Sequence, residues 1–237
     1  MRQPWHLLAR GETRIRRYSG GVVRQPFPPF RGLVFDLDGV LILSRDAHRR
    51  AFEDVLAPFG ITNFHYDRYA GWRTLEVFRS VFAESSQTRL DAEIIDCAQR
   101  KSKRARQILA EHDFVVPGCV PFLQKLALSY SLALASSGSR ESVNAFLDKT
   151  GLGSSFGSVL SGDDVDQAKP DPEIFSRSIQ ALELQPEDCA VIEDAVAGIQ
   201  AARRAGASAI GIGDEASLRA AGAGCVVSSL MELETLL

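Results

Sequence analysis

Short apolar runs separated by longer amphipathic stretches set the rhythm of most of this chain. Residues 32–36 (Gly-Leu-Val-Phe-Asp) are apolar until they end in a carboxylate, the look of a parallel strand buried on both faces. Similar runs recur at 131–136, 157–160, 189–193, 207–212 and 224–227, each ending near polar or glycine residues. Between them the apolar positions take helical spacing: Val143, Phe146 and Leu147, then Ile174, Phe175, Ile179 and Leu182. Ala195, Ile199 and Ala202 follow, before a helix stop at Gly206. Strand alternating with helix predicts an α/β fold built on an open parallel sheet.

Residues 45–114 break that rhythm. They hold no strand-like run, but Ala47, Ala51, Val55 and Phe59, then Leu75, Phe78 and Phe82, then Ile94, Ala98, Ala105 and Ile108 are spaced for helices. A helical insertion is expected between the first core strand and the next. It would cover the carboxyl ends of the strands, where α/β sheets place their ligands.

Composition narrows the class. The 237 residues are 45% hydrophobic and 24% charged, which excludes collagen, coiled coil and wholesale disorder. No apolar window is long enough to cross a membrane, because Asp36 and Asp38 interrupt even the best run. The net charge of −3 hides an asymmetry, since residues 1–30 carry six Arg against one Glu. That stretch closes on Gln25-Pro26-Phe27-Pro28-Pro29, which suits neither helix nor central strand, and it is expected to be a loosely ordered extension rather than a targeting peptide. Cys97, Cys119, Cys189 and Cys225 form no CxxC pair, so reduced thiols in a cytoplasmic setting are expected.

Four pieces carry chemistry. Asp36-Leu37-Asp38-Gly39 sets two carboxylates two residues apart at the end of a buried strand. Like charges confined there raise one another's pKa unless a cation joins them, so either a metal binds or one acid keeps its proton. The alternative is a pair of turn or capping aspartates. Ser136, followed by Ser137-Gly138-Ser139, offers hydroxyls and backbone N–H groups at a helix start, as a phosphate site or as a plain N-cap. Lys169 stands in Ala168-Lys169-Pro170-Asp171-Pro172, just before a helix, and its other reading is an ordinary surface lysine. Glu193-Asp194 ends another apolar strand, either as a second acid pair or as the N-cap of the next helix.

In this order and on strand ends, these pieces resemble the haloacid dehalogenase-like superfamily of phosphohydrolases and phosphomutases, over residues 32–213. Ile192-Glu193-Asp194-Ala195 with Ala197-Gly198-Ile199-Gln200-Ala201-Ala202 is most similar to the β-phosphoglucomutase and sugar-phosphatase branch. The resemblance implies a Rossmann-like core (31–44 and 115–237) with helices on both faces and a small inserted α-helical cap (45–114), after the basic, Pro-ending extension read above (1–30). It implies that Asp36 attacks phosphorus to form an aspartyl phosphate and that Asp38 is the general acid and then the base. Mg2+ would be held by Asp36, the backbone carbonyl of Asp38 and Asp194, with Glu193 acting behind them or through water. Ser136, Ser137 and Lys169 would hold the phosphoryl oxygens.

The insertion offers weaker signals. His48 falls where the mutase branch carries a histidine, or is an exposed helix residue. Arg73, after Gly71-Trp72, is an anion contact or a solvated arginine. Lys101 lies in Arg100-Lys101-Ser102-Lys103-Arg104-Ala105-Arg106, a cation-rich helix face that is otherwise read as solvated. Leu43 stands where the family commonly has a polar residue. The acidic body and the lack of flanking aromatics argue against nucleic-acid binding. The leading expectation is a Mg2+-dependent phosphatase for a small phosphorylated metabolite, as a monomer or small homo-oligomer; a phosphomutase comes second and a non-catalytic binding protein third. Dehalogenase chemistry needs neither Asp38 nor the second acid pair.

Overall fold

In the computed structural model, residues 30–111 and 113–237 are described, together with the backbone of 15–18 and 21–24. Strands β1 (Ile15–Tyr18) and β2 (Gly21–Arg24) pair antiparallel, with Ile15 opposite Arg24. Residues 1–14, 19, 20 and 25–29 of the expected extension lie outside the described residues.

The six apolar runs are the strands of one parallel sheet: β3 (Gly32–Phe35), β4 (Ser131–Ala135), β5 (Ser158–Leu160), β6 (Cys189–Glu193), β7 (Ser208–Ile212) and β8 (Cys225–Val227). Their order is β5-β4-β3-β6-β7-β8. Period-two alternation divides each strand between two cores. Leu33, Phe35, Leu132, Leu134 and Ile192 face one side and pack with α4 (Cys119–Leu126) and α5 (Arg140–Thr150). Val34, Ala133, Ala135 and Val191 face the other and pack with α6 (Glu173–Ala181), α7 (Val196–Arg204) and α8 (Glu215–Ala221). Small residues on this second face let the helices sit close. Each large side chain so buried contributes about 1.5–3 kcal/mol.

The insertion folds as helices α1 (Arg45–Leu56), α2 (Thr74–Glu84) and α3 (Asp91–Ala110). They enclose an aromatic core of their own, in which Phe52, Phe64, Phe78 and Phe82 join Val55, Leu56 and Val81. Phe52 packs at 5.0 Å and 5.3 Å between ring centroids against Phe64 and Phe78. Among the described residues no helix is long and apolar enough to cross a membrane.

The chain leaves β3 for β4 on one side and returns to β6 on the other. The carboxyl ends of β3 and β6 therefore flank the topological switch point of the sheet, where open α/β folds form a ligand crevice.

Candidate active site

Asp36 extends the β3–β6 ladder by one residue, because its N–H donates to the Ile192 carbonyl at 3.0 Å. Its side chain is thereby brought beside Glu193, the last residue of β6, and both are buried. The chain then turns sharply, with the N–H groups of Leu41 and Ile42 donating to the Leu37 carbonyl at 2.9 and 3.1 Å. Gly39 is required in this turn for two reasons. Its φ is +77°, and a Cβ there would lie 2.0 Å from Oδ2 of Asp194.

Lys169 enters from the loop before α6 and is 2% exposed. Its Nζ donates to Asp36 Oδ1 at 2.6 Å and to Glu193 Oε1 at 2.8 Å, and lies 4.7 Å from the centre of the Phe175 ring. The other oxygen of Glu193 accepts from the Ala195 N–H at 2.7 Å. Burial pushes the Asp36 carboxyl up to about 8; Lys169 opposes that rise, while Glu193 and Asp38 add to it. Burial, then Glu193 and Asp36, hold the Asp194 carboxyl well above its usual range. The charge of Asp36 and Glu193 in turn outweighs burial for Lys169 and raises its pKa.

One ammonium is thus set among several crowded carboxylates. Ligand atoms of Asp36, Glu193 and Asp194 lie within 4.8 Å of one another. Hard oxygen donors with surplus negative charge fit a cation such as Mg2+. Glu193 already has both oxygens engaged, whereas Asp36 has one oxygen away from Lys169, and no donor among the described residues reaches the Asp194 carboxylate within hydrogen-bond range.

A second chain of contacts descends from the insertion. His48, on the first turn of α1, has Nε2 2.6 Å from Asp38 Oδ1 and Nδ1 2.7 Å from Lys101 Nζ on α3. An ionised carboxylate only accepts, so Nε2 carries the proton donated to Asp38 and Nδ1 accepts from Lys101. Burial would raise the Asp38 carboxyl, but His48 outweighs it and holds Asp38 well below the usual range. Burial lowers Lys101 to about 8, with Asp38 opposing. Lys101 also sits 4.3 Å from the centre of the Phe52 ring.

The remaining residues expected from the sequence lie around this cluster. Ser136 follows β4, is fully buried, and accepts from the Gly138 N–H at 3.0 Å. Ser137 Oγ donates to the Gly71 carbonyl at 2.8 Å, so it ties the core to the insertion. Arg73 is engaged elsewhere, donating to the carbonyls of Val165 at 2.7 Å and Asp166 at 3.2 Å. Sequence reasoning had not singled out Tyr66, which stacks on His48 with centroids 6.3 Å apart, or Thr74, 3.5 Å from Lys101 Nζ. Neither stands in a motif, and helical periodicity does not mark them. Asp36, Asp38, His48, Tyr66, Lys101 and Asp194 line one cleft of about 40 Å³.

Comparisons with known proteins bear on the family and the fold. Residues 30–206 match haloacid dehalogenase-like hydrolases as a family. The chain is 30% identical to the fructose-1-phosphate phosphatase YqaB of Escherichia coli over 77% of its length and 96% of that protein. It is 26% identical to the β-phosphoglucomutase of Bacillus subtilis over 77% of its length and 83% of that protein. The crystal structure of β-phosphoglucomutase from Clostridium difficile superposes with a TM-score of 0.77 at 25% identity, covering 86% of this chain and 93% of that one. The chain therefore belongs to the haloacid dehalogenase-like hydrolases and is an enzyme of the phosphatase or phosphomutase kind.

Proposed function

We propose that the protein is a Mg2+-dependent phosphatase that hydrolyses a small phosphorylated metabolite, such as a sugar phosphate or phosphoglycolate, through an aspartyl phosphate on Asp36. The observation that carries this reading is Asp36 at the switch point, one oxygen held by Lys169 at 2.6 Å and its carboxylate clustered with those of Glu193 and Asp194, ligand atoms within 4.8 Å of one another. Residues 31–44 and 115–237 form the catalytic core and 45–114 the cap, a division supported by the separate aromatic core of α1 to α3. Four free cysteines fit a reducing, cytoplasmic setting.

Asp36 would attack phosphorus while the ester P–O bond breaks and the leaving oxygen takes a proton from Asp38. Water would then attack the same phosphorus, giving its proton to Asp38, as phosphate leaves and the Asp36 carboxylate is regenerated. Asp38 is ionised in the substrate-free state, so the acid half of its role needs a proton first. His48 is placed to relay it, its Nε2–H passing to Asp38 as Nδ1 takes a proton from the Lys101 ammonium. Lys169 holds Asp36 in line and offsets charge on the transferred group, Glu193 fixes Lys169, and Ser136 and Ser137 border the phosphoryl site. Asp36, Asp194 and the Asp38 backbone would hold Mg2+, which supplies positive charge to the nucleophile and the phosphoryl oxygens.

A phosphomutase is the second reading, and the contact of His48 with Asp38 favours it. The acid/base residue is held by a cap residue, which couples proton transfer to a closed cleft from which bulk water is kept out. A panel of phosphorylated sugars and small acids, assayed with and without Mg2+, tests both. Release of inorganic phosphate supports the phosphatase, an isomerised sugar phosphate supports the mutase, and turnover indifferent to Mg2+ contradicts both.

A further inference from the structure

The cleft around Asp36 is small, about 40 Å³, but a second cavity of about 280 Å³ adjoins it between α3 of the cap and α5 of the core. Asp38, His48, Thr74, Lys101 and Gly138 line both, so the acid/base carboxylate stands where the two meet. The acidic cleft suits a phosphoryl group and a cation. It leaves little room for the alcohol portion of an ester.

The walls of the larger cavity have a different character. Ile42, Ala105, Leu109 and Phe114 form an apolar stretch, while Arg106 and Lys149 add cations. Among the described residues its lining holds no carboxylate besides Asp38. Lys149 is partly balanced by Asp113 at 3.3 Å. Arg106 is not fully satisfied. Its Nη2 reaches Glu141 at 2.9 Å, but Nη1 is shielded from solvent and has no acceptor. A buried guanidinium nitrogen without a partner is costly, and a turn of the Arg106 side chain toward the cavity that it lines would let an anionic ligand satisfy it.

We propose that this side cavity receives the leaving group of the substrate, and that Arg106 selects a leaving group that is partly apolar and ends in an anion, a carboxylate or a second phosphate. The proposal rests on the phosphomonoester reading above and narrows its substrate class. Arg106 is then a specificity residue that never touches the reacting phosphorus. Glu141 is mostly exposed, so water can replace Arg106 beside it without loss of the fold.

The test compares hexyl phosphate, 6-phosphonooxyhexanoate and hexane-1,6-bisphosphate, which share a chain and differ at its far end. Wild type should prefer at least one anion-ended ester over hexyl phosphate by about tenfold or more in kcat/KM, chiefly through KM, and the preferred end tells carboxylate from phosphate. Arg106→Gln should bring that ratio to within about twofold of unity, and Arg106→Lys should keep part of it. Ala145→Glu, at an exposed position of α5 in the cavity wall, should also cut the ratio by adding a like charge. A general folding defect slows all three esters together and leaves the ratio intact. No anion preference in wild type, or a ratio unmoved in both Arg106→Gln and Ala145→Glu, overturns the proposal. Acetyl phosphate separates the two levels of the account: if wild type with Mg2+ fails to turn it over, the phosphatase reading fails; if it does and the ratio is unmoved, the side cavity alone is wrong.

Discussion

A Cβ on Gly198 would stand 1.8 Å from Oε1 of Glu193, the oxygen that accepts from Lys169. The first turn of α7 therefore approaches the carboxylate so closely that no larger residue fits without moving it. Glycine inside a helix normally weakens it by about 1 kcal/mol relative to alanine. Here that preference should be reversed. Gly198→Ala is expected to destabilise the protein by about 1–3 kcal/mol, because Glu193 must shift and leave Lys169 partly unpaired. Urea unfolding checks the sign, and a more stable variant would show that the close approach has little consequence.

Lys169 is buried between two acids, and removing it leaves both without compensation. Lys169→Met keeps most of the stem and deletes the charge. Breaking a buried ion pair from one side typically costs about 3–5 kcal/mol, and a loss of that order is expected here at neutral pH. A loss under about 1 kcal/mol would show that the pair behaves like an exposed one.

The acid cluster predicts a link between pH, Mg2+ and stability. The Asp36 carboxyl is raised to about 8, and that of Asp194 is also raised, both chiefly by burial. The folded state keeps protons that the unfolded chain releases near pH ~4, so without Mg2+ stability should fall as pH rises from about 4 to about 8. Mg2+ binds the ionised carboxylates, so the rise in Tm that it causes should grow between about pH 6 and about pH 8. Asp194→Asn should abolish most of that growth. Thermal melts with and without Mg2+ check this, and an equal Tm shift at both pH values would contradict it.

The sheet was legible because its strands are buried on both faces, so runs such as 189–192 contain no polar residue to confuse the period. The helices of the insertion were legible for the complementary reason, since Val77, Phe78, Val81 and Phe82 face one core at helical spacing. Short elements escaped. Helix α4 is eight residues long with Pro121 in its first turn, too brief to show a period. Contacts made by the folding of the insertion onto the core escaped as well. Lys101 meets His48 across 53 positions, and Arg73 meets Val165 across 92. Spacing along one helix carries no information about what that helix will face, so the pairing of His48 with Asp38 and the engagement of Arg73 by backbone carbonyls emerge only in three dimensions.

If Asp36 carries the phosphoryl group between the two half-reactions, that intermediate can be trapped. Asp38→Asn should still accept a phosphoryl group from acetyl phosphate, whose leaving group needs little protonation, yet lack the base that activates water. Rapid quenching of a single turnover with Mg2+, followed by proteolysis and mass spectrometry, should find one added phosphoryl group on the peptide containing Asp36. The added mass should vanish when Asp36 is replaced by Asn, with turnover reduced to under about 1% of wild type. Phosphate release at the wild-type rate from Asp36→Asn, or a phosphoryl group trapped on another residue, would contradict the account.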